Sequence, residues 1–332
     1  MPDVICCGEA LVDRLGPPGG NPAEGGEDRL GGAPANVCCG LARLGTSTGF
    51  LGRLGRDAIG AAFARLFQER GVDRQGVQWD EQRPSRIVLV QRQHNGERSF
   101  RGFLGDAGAG FADTAFAPDR IPATLFRSAR WLLFGTIPLA SPTAAAALEQ
   151  AMAMAEDRQV RLALDVNWRP TFWRCDASMA RQRIRPLLER VQVLKLAVEE
   201  AEWLLGERDP QAIGLALPQQ PAVVVTAGGD GATWWMGGSR GQQPAYPVSV
   251  VDSTGAGDAF LAGLLHQLVT QPRLRHPSAE VVERAMAFAS ACGAMVCAGA
   301  GAIDPQPEAG AVAAFLEQQG FAEGLGRKGR LP

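Results

Sequence analysis

The segment richest in chemistry runs Val250-Val251-Asp252-Ser253-Thr254-Gly255-Ala256-Gly257-Asp258-Ala259-Phe260. Its pattern predicts the end of a strand, a tight glycine turn and a helix reaching about Leu268. A glycine turn at a helix N-terminus presents unpaired backbone N–H groups and the positive end of the helix dipole, which together hold a phosphate or a developing negative charge. Asp258 falls in the first turn of that helix. A carboxylate there can take the proton of an alcohol that attacks phosphorus, or it can simply cap the helix. The segment by itself leaves both roles open.

Two familiar nucleotide motifs are missing from the sequence. There is no Gly-x-x-x-x-Gly-Lys-Ser/Thr run, and Gly255-x-Gly257-x-x-Phe260 lacks the third glycine of a dinucleotide fingerprint and lies far from the first strand. Nearer the start, Gly31-Gly32-Ala33-Pro34-Ala35-Asn36 is a second glycine turn into a helix. Asp13 and Asn36 offer a carboxylate and an amide suited to vicinal hydroxyls, although both residue types are also common in turns and caps. Lys195 and Lys328 are the only lysines among 33 basic residues, and Lys195 lies at the end of an apolar strand pattern.

These residues need a scaffold. Apolar runs at Val4–Cys7, Trp131–Phe134, 162–165, 191–196 and Ala222–Thr226 read as buried strands alternating with helical patterns. One helix follows Ser141-Pro142 and covers 143–157; another opens at Pro34 and stops at Gly45. Such alternation predicts an α/β fold with a central, mostly parallel sheet flanked by helices. Two pieces break the rhythm. Residues 11–14 follow the first strand directly, and 87–103 hold two alternating runs about the turn His94-Asn95-Gly96-Glu97. They predict a small β sheet, with strands at about 11–18 and 86–104, standing off the main one; it serves as a lid over a crevice or is a surface hairpin without function. Residues 16–31 read as a long Gly/Pro-rich loop, 1–320 as one domain and 321–332 as a flexible tail.

Composition narrows the partners. A net charge of -2 leaves no broad positive field for nucleic acid. No apolar stretch reaches transmembrane length and no basic leader opens the chain, which points away from membranes and toward the cytoplasm. Seven cysteines without a Cys-x-x-Cys pair, and only three histidines, give no zinc or redox spacing, so the cysteines read as reduced, buried small hydrophobes.

In five segments taken in order, the chain resembles the ribokinase-like (PfkB) carbohydrate kinases over about 4–303. The segments are Gly8-Glu9-Ala10-Leu11-Val12-Asp13, the Gly-Gly-Ala-Pro-Ala-Asn stretch, Asp165-Val166-Asn167-Trp168-Arg169-Pro170, Thr226-Ala227-Gly228-Gly229-Asp230-Gly231, and Asp252 to Asp258. The resemblance implies the ribokinase-like layered fold and transfer of phosphoryl from ATP to a primary hydroxyl of a sugar. It casts Asp258 as the base and Gly255, Ala256 and Gly257 as the amides around the moving phosphoryl. Asp13, Gly32 and Asn36 would hold the sugar, with Arg101 and Phe103 closing on it from the lid. Asn167 and Arg169 would sit where sugar meets phosphate, and Lys195, Thr226, Gly228 and Gly231 on the nucleotide side. Magnesium accompanies ATP in the family and potassium often does; Asp252 falls on a potassium-ligand position and Glu200 on the acid of an Asn-x-x-Glu motif that organises magnesium.

Two departures from the family pattern stand out. Ala197 replaces the asparagine of Asn-x-x-Glu, which predicts altered magnesium affinity, and Ser290 replaces an asparagine near the adenine. The first and third segments look most like the fructokinase branch, so fructose is the expected sugar, with 2-keto-3-deoxygluconate and ribose as alternatives. An acidic sugar would need an extra cation such as Arg98 or Arg101. A reading of another class is a non-catalytic fructokinase-like scaffold, against which an intact Asp258 and glycine turn argue. Family likeness also implies a homodimer formed through the lid.

Overall fold

The computed structural model describes residues 1–17, 20–92, 98–105, 110–271, 274 and 277–320. The strands are β1 (Val4–Cys7), β2 (Leu11–Leu15), β3 (Glu27–Gly31), β4 (Thr48–Gly55), β5 (Asp73–Asp80), β6 (Ile87–Arg92), β7 (Arg98–Phe103), β8 (Trp131–Phe134), β9 (Arg161–Asp165), β10 (Val193–Ala197), β11 (Ala222–Thr226), β12 (Ala232–Met236) and β13 (Ser239–Gln243). The helices are α1 (Ala33–Arg43), α2 (Ala58–Glu69), α3 (Pro142–Glu156), α4 (Ala177–Leu188), α5 (Val198–Leu205), α6 (Pro210–Ala216), α7 (Ala256–Thr270), α8 (Ala279–Cys297) and α9 (Ala309–Gln318).

Nine strands form the main sheet in the order β13-β12-β11-β10-β9-β8-β1-β4-β5, parallel from β11 through β5 and antiparallel across β12 and β13. Helices cover both faces, so a central strand must be apolar on both sides, as Val4-Ile5-Cys6-Cys7 is. The period of two splits that strand between two cores. Val4 and Cys6 join α1, α7 and α8, while Ile5 and Cys7 join α3 and α4. In β10 the same alternation sends Leu194 and Leu196 to the α3 side and leaves Lys195 facing α7. Close helix packing fixes the α7 layer. A Cβ on Gly40 of α1 would come within 2.9 Å of Ala262 Cβ on α7, so glycine there lets the two helices approach.

A second sheet, in the order β3-β2-β6-β7, stands off the first. It matches the expected lid but draws on more of the chain. Residues 27–31, expected within a loop, form β3, whose charged Glu27-Asp28-Arg29 hides a strand that exists because β2 pairs with it antiparallel. Strands β4 and β5 were also not foreseen. Another correction concerns Val250 and Val251, which are not in a strand: they are exposed, and the chain enters α7 from a loop tethered by Val251 N–H to Cys297 O at 2.8 Å. The expected turn at 94–97 and tail at 321–332 lie outside the described residues. No helix among the described residues is long and apolar enough to cross a membrane.

Candidate active site

The parallel strands end on one edge of the sheet, where open α/β folds place ligands. Asp165 ends β9, Lys195 lies near the end of β10, Thr226 ends β11, and Glu9 follows β1. Between this edge, the start of α7 and the lid lies a cleft of about 520 Å³. Of the residues expected from the sequence, Asp13, Gly32, Asn36, Asn167, Arg169, Lys195, Glu200, Thr226 and the run Gly255-Ala256-Gly257-Asp258 line it.

The glycine turn is built as its residues demand. Gly255 adopts φ 79°, and a Cβ there would lie 2.5 Å from Ala302 Cβ, so both backbone conformation and space require glycine. The helix starts at Ala256, leaving first-turn N–H groups without an intrahelical partner. Ala256 N–H does reach Ser253 O at 3.3 Å, a long bond that an anionic oxygen can outcompete. Asp258, in the same turn, accepts from Asn36 Nδ2 at 2.7 Å. Burial, then the charge of Asp165, push its carboxyl up to about 6, against the opposing pull of the Asn36 bond, Lys195 and Arg169. Asp258 is thus ionised at neutral pH and basic enough to take a proton.

Lys195 supplies the buried positive charge. Its Nζ donates to Asp165 Oδ1 at 2.8 Å and Oδ2 at 3.0 Å. Burial depresses the ammonium pKa, but Asp165, Glu200 and Asp258 outweigh it and hold the group charged. A Cβ on Gly257 would lie 3.2 Å from that nitrogen, so the cation sits directly under the glycine turn. Glu200 is occupied as a staple. Its Oε1 accepts from Trp168 N–H at 2.6 Å and its Oε2 from Ala197 N–H at 2.8 Å, tying together the loops after β9 and β10. Burial first, then Asp165, raise its pKa. Asn167 is held at φ 41°, a left-handed conformation that asparagine tolerates, and Arg169 Nη1 donates to Trp168 O at 3.0 Å.

Other expected residues lie elsewhere. Arg101 is exposed and Phe103 does not line the cleft. Arg101 sits at a bulge. Leu89 pairs with Gly102 and Val90 with Phe100, which leaves Arg101 as the extra residue. The lid wall is therefore Val88, Val90 and Phe100, while the Phe103 ring packs behind it on Phe100, Phe111 and Phe172. Gly228 and Gly231 shape the β11–β12 turn at φ 54° and 93°, and Gly231 faces a neighbouring groove rather than the cleft. Ser290 is buried in α8 and does not line the cleft. Asp252, also buried, accepts from Thr254 N–H at 2.9 Å, Thr254 Oγ1 at 2.6 Å and Gly301 N–H at 3.0 Å, which locks the loop that enters α7. Glu9, Phe100, Asp165 and Phe172 also stand on the cleft wall, beyond the residues expected from the sequence. For Asp165 there was a signal, an aspartate closing an apolar strand beside the strand that carries Lys195.

Comparison with known proteins gives the family and the fold. Residues 1–309 match the model of the pfkB family carbohydrate kinases. Fructokinase-2 of Solanum lycopersicum is 30% identical over 320 residues, 95% of this chain and 96% of its own length. Among solved structures, a fructokinase of Xylella fastidiosa with bound ATP superposes with a TM-score of 0.81 at 27% identity, covering 96% of this chain and 100% of that one. A double mutant of the fructokinase of Vibrio cholerae O395, in fructose-, ADP- and potassium-bound form, gives a TM-score of 0.82 at 28% identity, covering 95% and 98%. The chain belongs to the pfkB family of carbohydrate kinases.

Proposed function

We propose that this carbohydrate kinase transfers the γ-phosphoryl group of ATP to the 6-hydroxyl of fructose, giving fructose 6-phosphate and ADP. The observation that carries the reading is the pairing of Asp258 and Asn36 beside the glycine turn, in one cleft with Asp13. Asp258 takes the proton of the hydroxyl as its oxygen attacks phosphorus, and the bond from phosphorus to the bridging oxygen of ADP breaks. The amides of Gly255, Ala256 and Gly257, with Arg169 and Lys195, face the charge that moves. Asp13, Gly32 and Asn36 hold the sugar hydroxyls in line, so positioning does most of the work.

A neutral sugar suits the walls. Leu11, Val88, Val90 and Phe100 are apolar, and among the described side chains, which do not include that of Arg98, the only cations lining the cleft are Arg169 and Lys195, the latter committed to Asp165. That favours fructose over 2-keto-3-deoxygluconate, whose carboxylate would need a further cation. The relatives solved with ATP, and with fructose, ADP and potassium, support the same substrates.

Magnesium fits the cleft as an ion carried on the nucleotide phosphates. Both Glu200 oxygens already accept backbone N–H groups and Ala197 has no side-chain oxygen, which suits a cation that keeps most of its waters. Glu200 would meet it through water, and the ion would supply neutralisation of phosphate charge. Potassium would be held on the Asp252 loop, where a buried carboxylate lies next to the glycine turn. The open edges β3 and β7 of the lid suit exchange between two copies of the chain.

The test is ADP release with Mg-ATP and potassium against fructose, ribose, glucose, 2-keto-3-deoxygluconate and fructose 6-phosphate. Turnover on fructose well above the rest is expected. Turnover on another sugar would overturn the substrate, and silence on all of them would favour a non-catalytic scaffold.

A further inference from the structure

Glu9, just after β1, is only 2% exposed yet lies on the wall of the cleft. One of its oxygens, Oε1, accepts from Ala33 N–H at 3.2 Å. The other, Oε2, is fully buried and meets no hydrogen-bonding group among the described residues. Beside it lies a cavity of about 20 Å³, lined in part by Glu9, Arg86, Asp113 and Thr114. That is room for one water molecule. The Arg86 guanidinium is engaged by Asp113 through bonds of 2.7 and 2.8 Å and lies over the rings of Phe103, Phe111 and Phe172.

The segment carrying Glu9 is also the support for the sugar turn. A Cβ on Gly8 would lie 2.7 Å from Pro34 Cγ, and one on Gly32 would lie 2.7 Å from Glu9 O. With so little slack, the Gly32–Ala33 turn goes where Glu9 puts it, and Asn36, one helical turn later, meets Asp258 from there.

We infer that Glu9 is a positioning residue of the sugar site: a neutral acid whose Oε2–H donates a hydrogen bond to one buried water in the cavity it shares with Asp113, while Oε1 accepts from Ala33 N–H. The consequence for sugar binding rests on the kinase reading above; the protonation chemistry does not. The groups facing Glu9 are Cys7 at the end of β1, Asp113 with its Arg86, and Asp258 from α7. Burial, helped by the charges of Asp113 and Asp258, pushes its carboxyl up to about 8. Below that pH Glu9 is neutral and the turn is held. Above it, a new negative charge faces Asp113 and Asp258 and the turn loses its register.

Glu9→Gln keeps an acceptor and a donor in the same shape and cannot titrate. For the wild type, the KM for fructose should rise on the order of tenfold between about pH 7 and pH 9, as a group of that pKa ionises. For Glu9→Gln the KM should change less than about twofold over the same range, whereas Glu9→Ala should raise KM at both values. Infrared difference spectra of the free protein, wild type against Glu9→Gln, should show one protonated carboxyl at neutral pH that ionises near 8. An alkaline rise equal in wild type and Glu9→Gln, or a wild-type KM that stays flat, would overturn the inference. So would a Glu9 already ionised at neutral pH in the infrared, whatever sugar the enzyme takes.

Discussion

Exchanging Lys195 for methionine keeps the length of the side chain and removes its charge. Lys195 and Asp165 are 8% and 5% exposed as side chains, so the substitution leaves an uncompensated carboxylate among Glu200 and Asp258. Breaking one half of a buried ion pair costs about 3–5 kcal/mol. With about 2.1 cal/mol/K of unfolding entropy per residue, a chain of 332 residues loses about 0.7 kcal/mol per degree at its midpoint, so Tm should fall by about 4–7 °C. The same change removes one of the charges that hold the Asp258 pKa down, so the acid limb of the rate profile should move to higher pH. Calorimetry and the pH dependence of kcat/KM read the two effects separately. The double variant Lys195→Met with Asp165→Leu removes both charges and should regain much of the lost Tm, since an apolar pair of similar volume has no buried charge to leave unpaired. A Lys195→Met protein with an unchanged melting point and an unchanged acid limb would refute this account of the cleft floor.

Three further outcomes follow from the geometry. Because a base works only when ionised and the Asp258 carboxyl lies at about 6, kcat/KM should fall about tenfold per unit below that pH and be level from there up to about 8, where Glu9 ionises; a profile flat down to about pH 4.5 would contradict the Asp258 assignment. Gly255→Ala places a methyl 2.5 Å from Ala302 Cβ on a left-handed backbone; the shifted turn should lower kcat on the order of 10²-fold, and wild-type turnover would show that the turn does not hold the phosphoryl. Ala197→Asn restores a side-chain oxygen beside Glu200 and should lower the magnesium concentration for half-maximal rate; no change in that titration would separate Ala197 from the metal.

The central strands were legible because burial on both faces makes their residues apolar, as in β1, β8 and Val223, Val224 and Val225 at the centre of β11. Strands β4 and β5 hid from the same criterion. Gly49, Gly52 and Gly55 dilute the first, and Asp73, Gln75, Gln78 and Asp80 make the second read as polar, although Gln78 and Asp80 are buried and bonded to Ala117, Arg53 and neighbouring amides. Val250 and Val251 misled in the opposite sense, being apolar yet exposed in a loop. Within the cleft, the Asp258 turn could be read because its chemistry is local: glycines, helix start and carboxylate lie within four residues. Its bond to Asn36 spans 222 positions and exists because glycine lets α1 pack on α7. Phe100 pairs with Val90 on the cleft wall while Arg101 is the unpaired residue of a bulge, and the bulge itself cannot be read from the sequence pattern.

The most direct test of the account is Asp258→Asn, which keeps the side-chain shape and removes the proton acceptor. The account predicts a kcat lower by on the order of 10²–10⁴, with ATP affinity by calorimetry within about twofold of wild type. Near-normal turnover would contradict the central claim that Asp258 is the base.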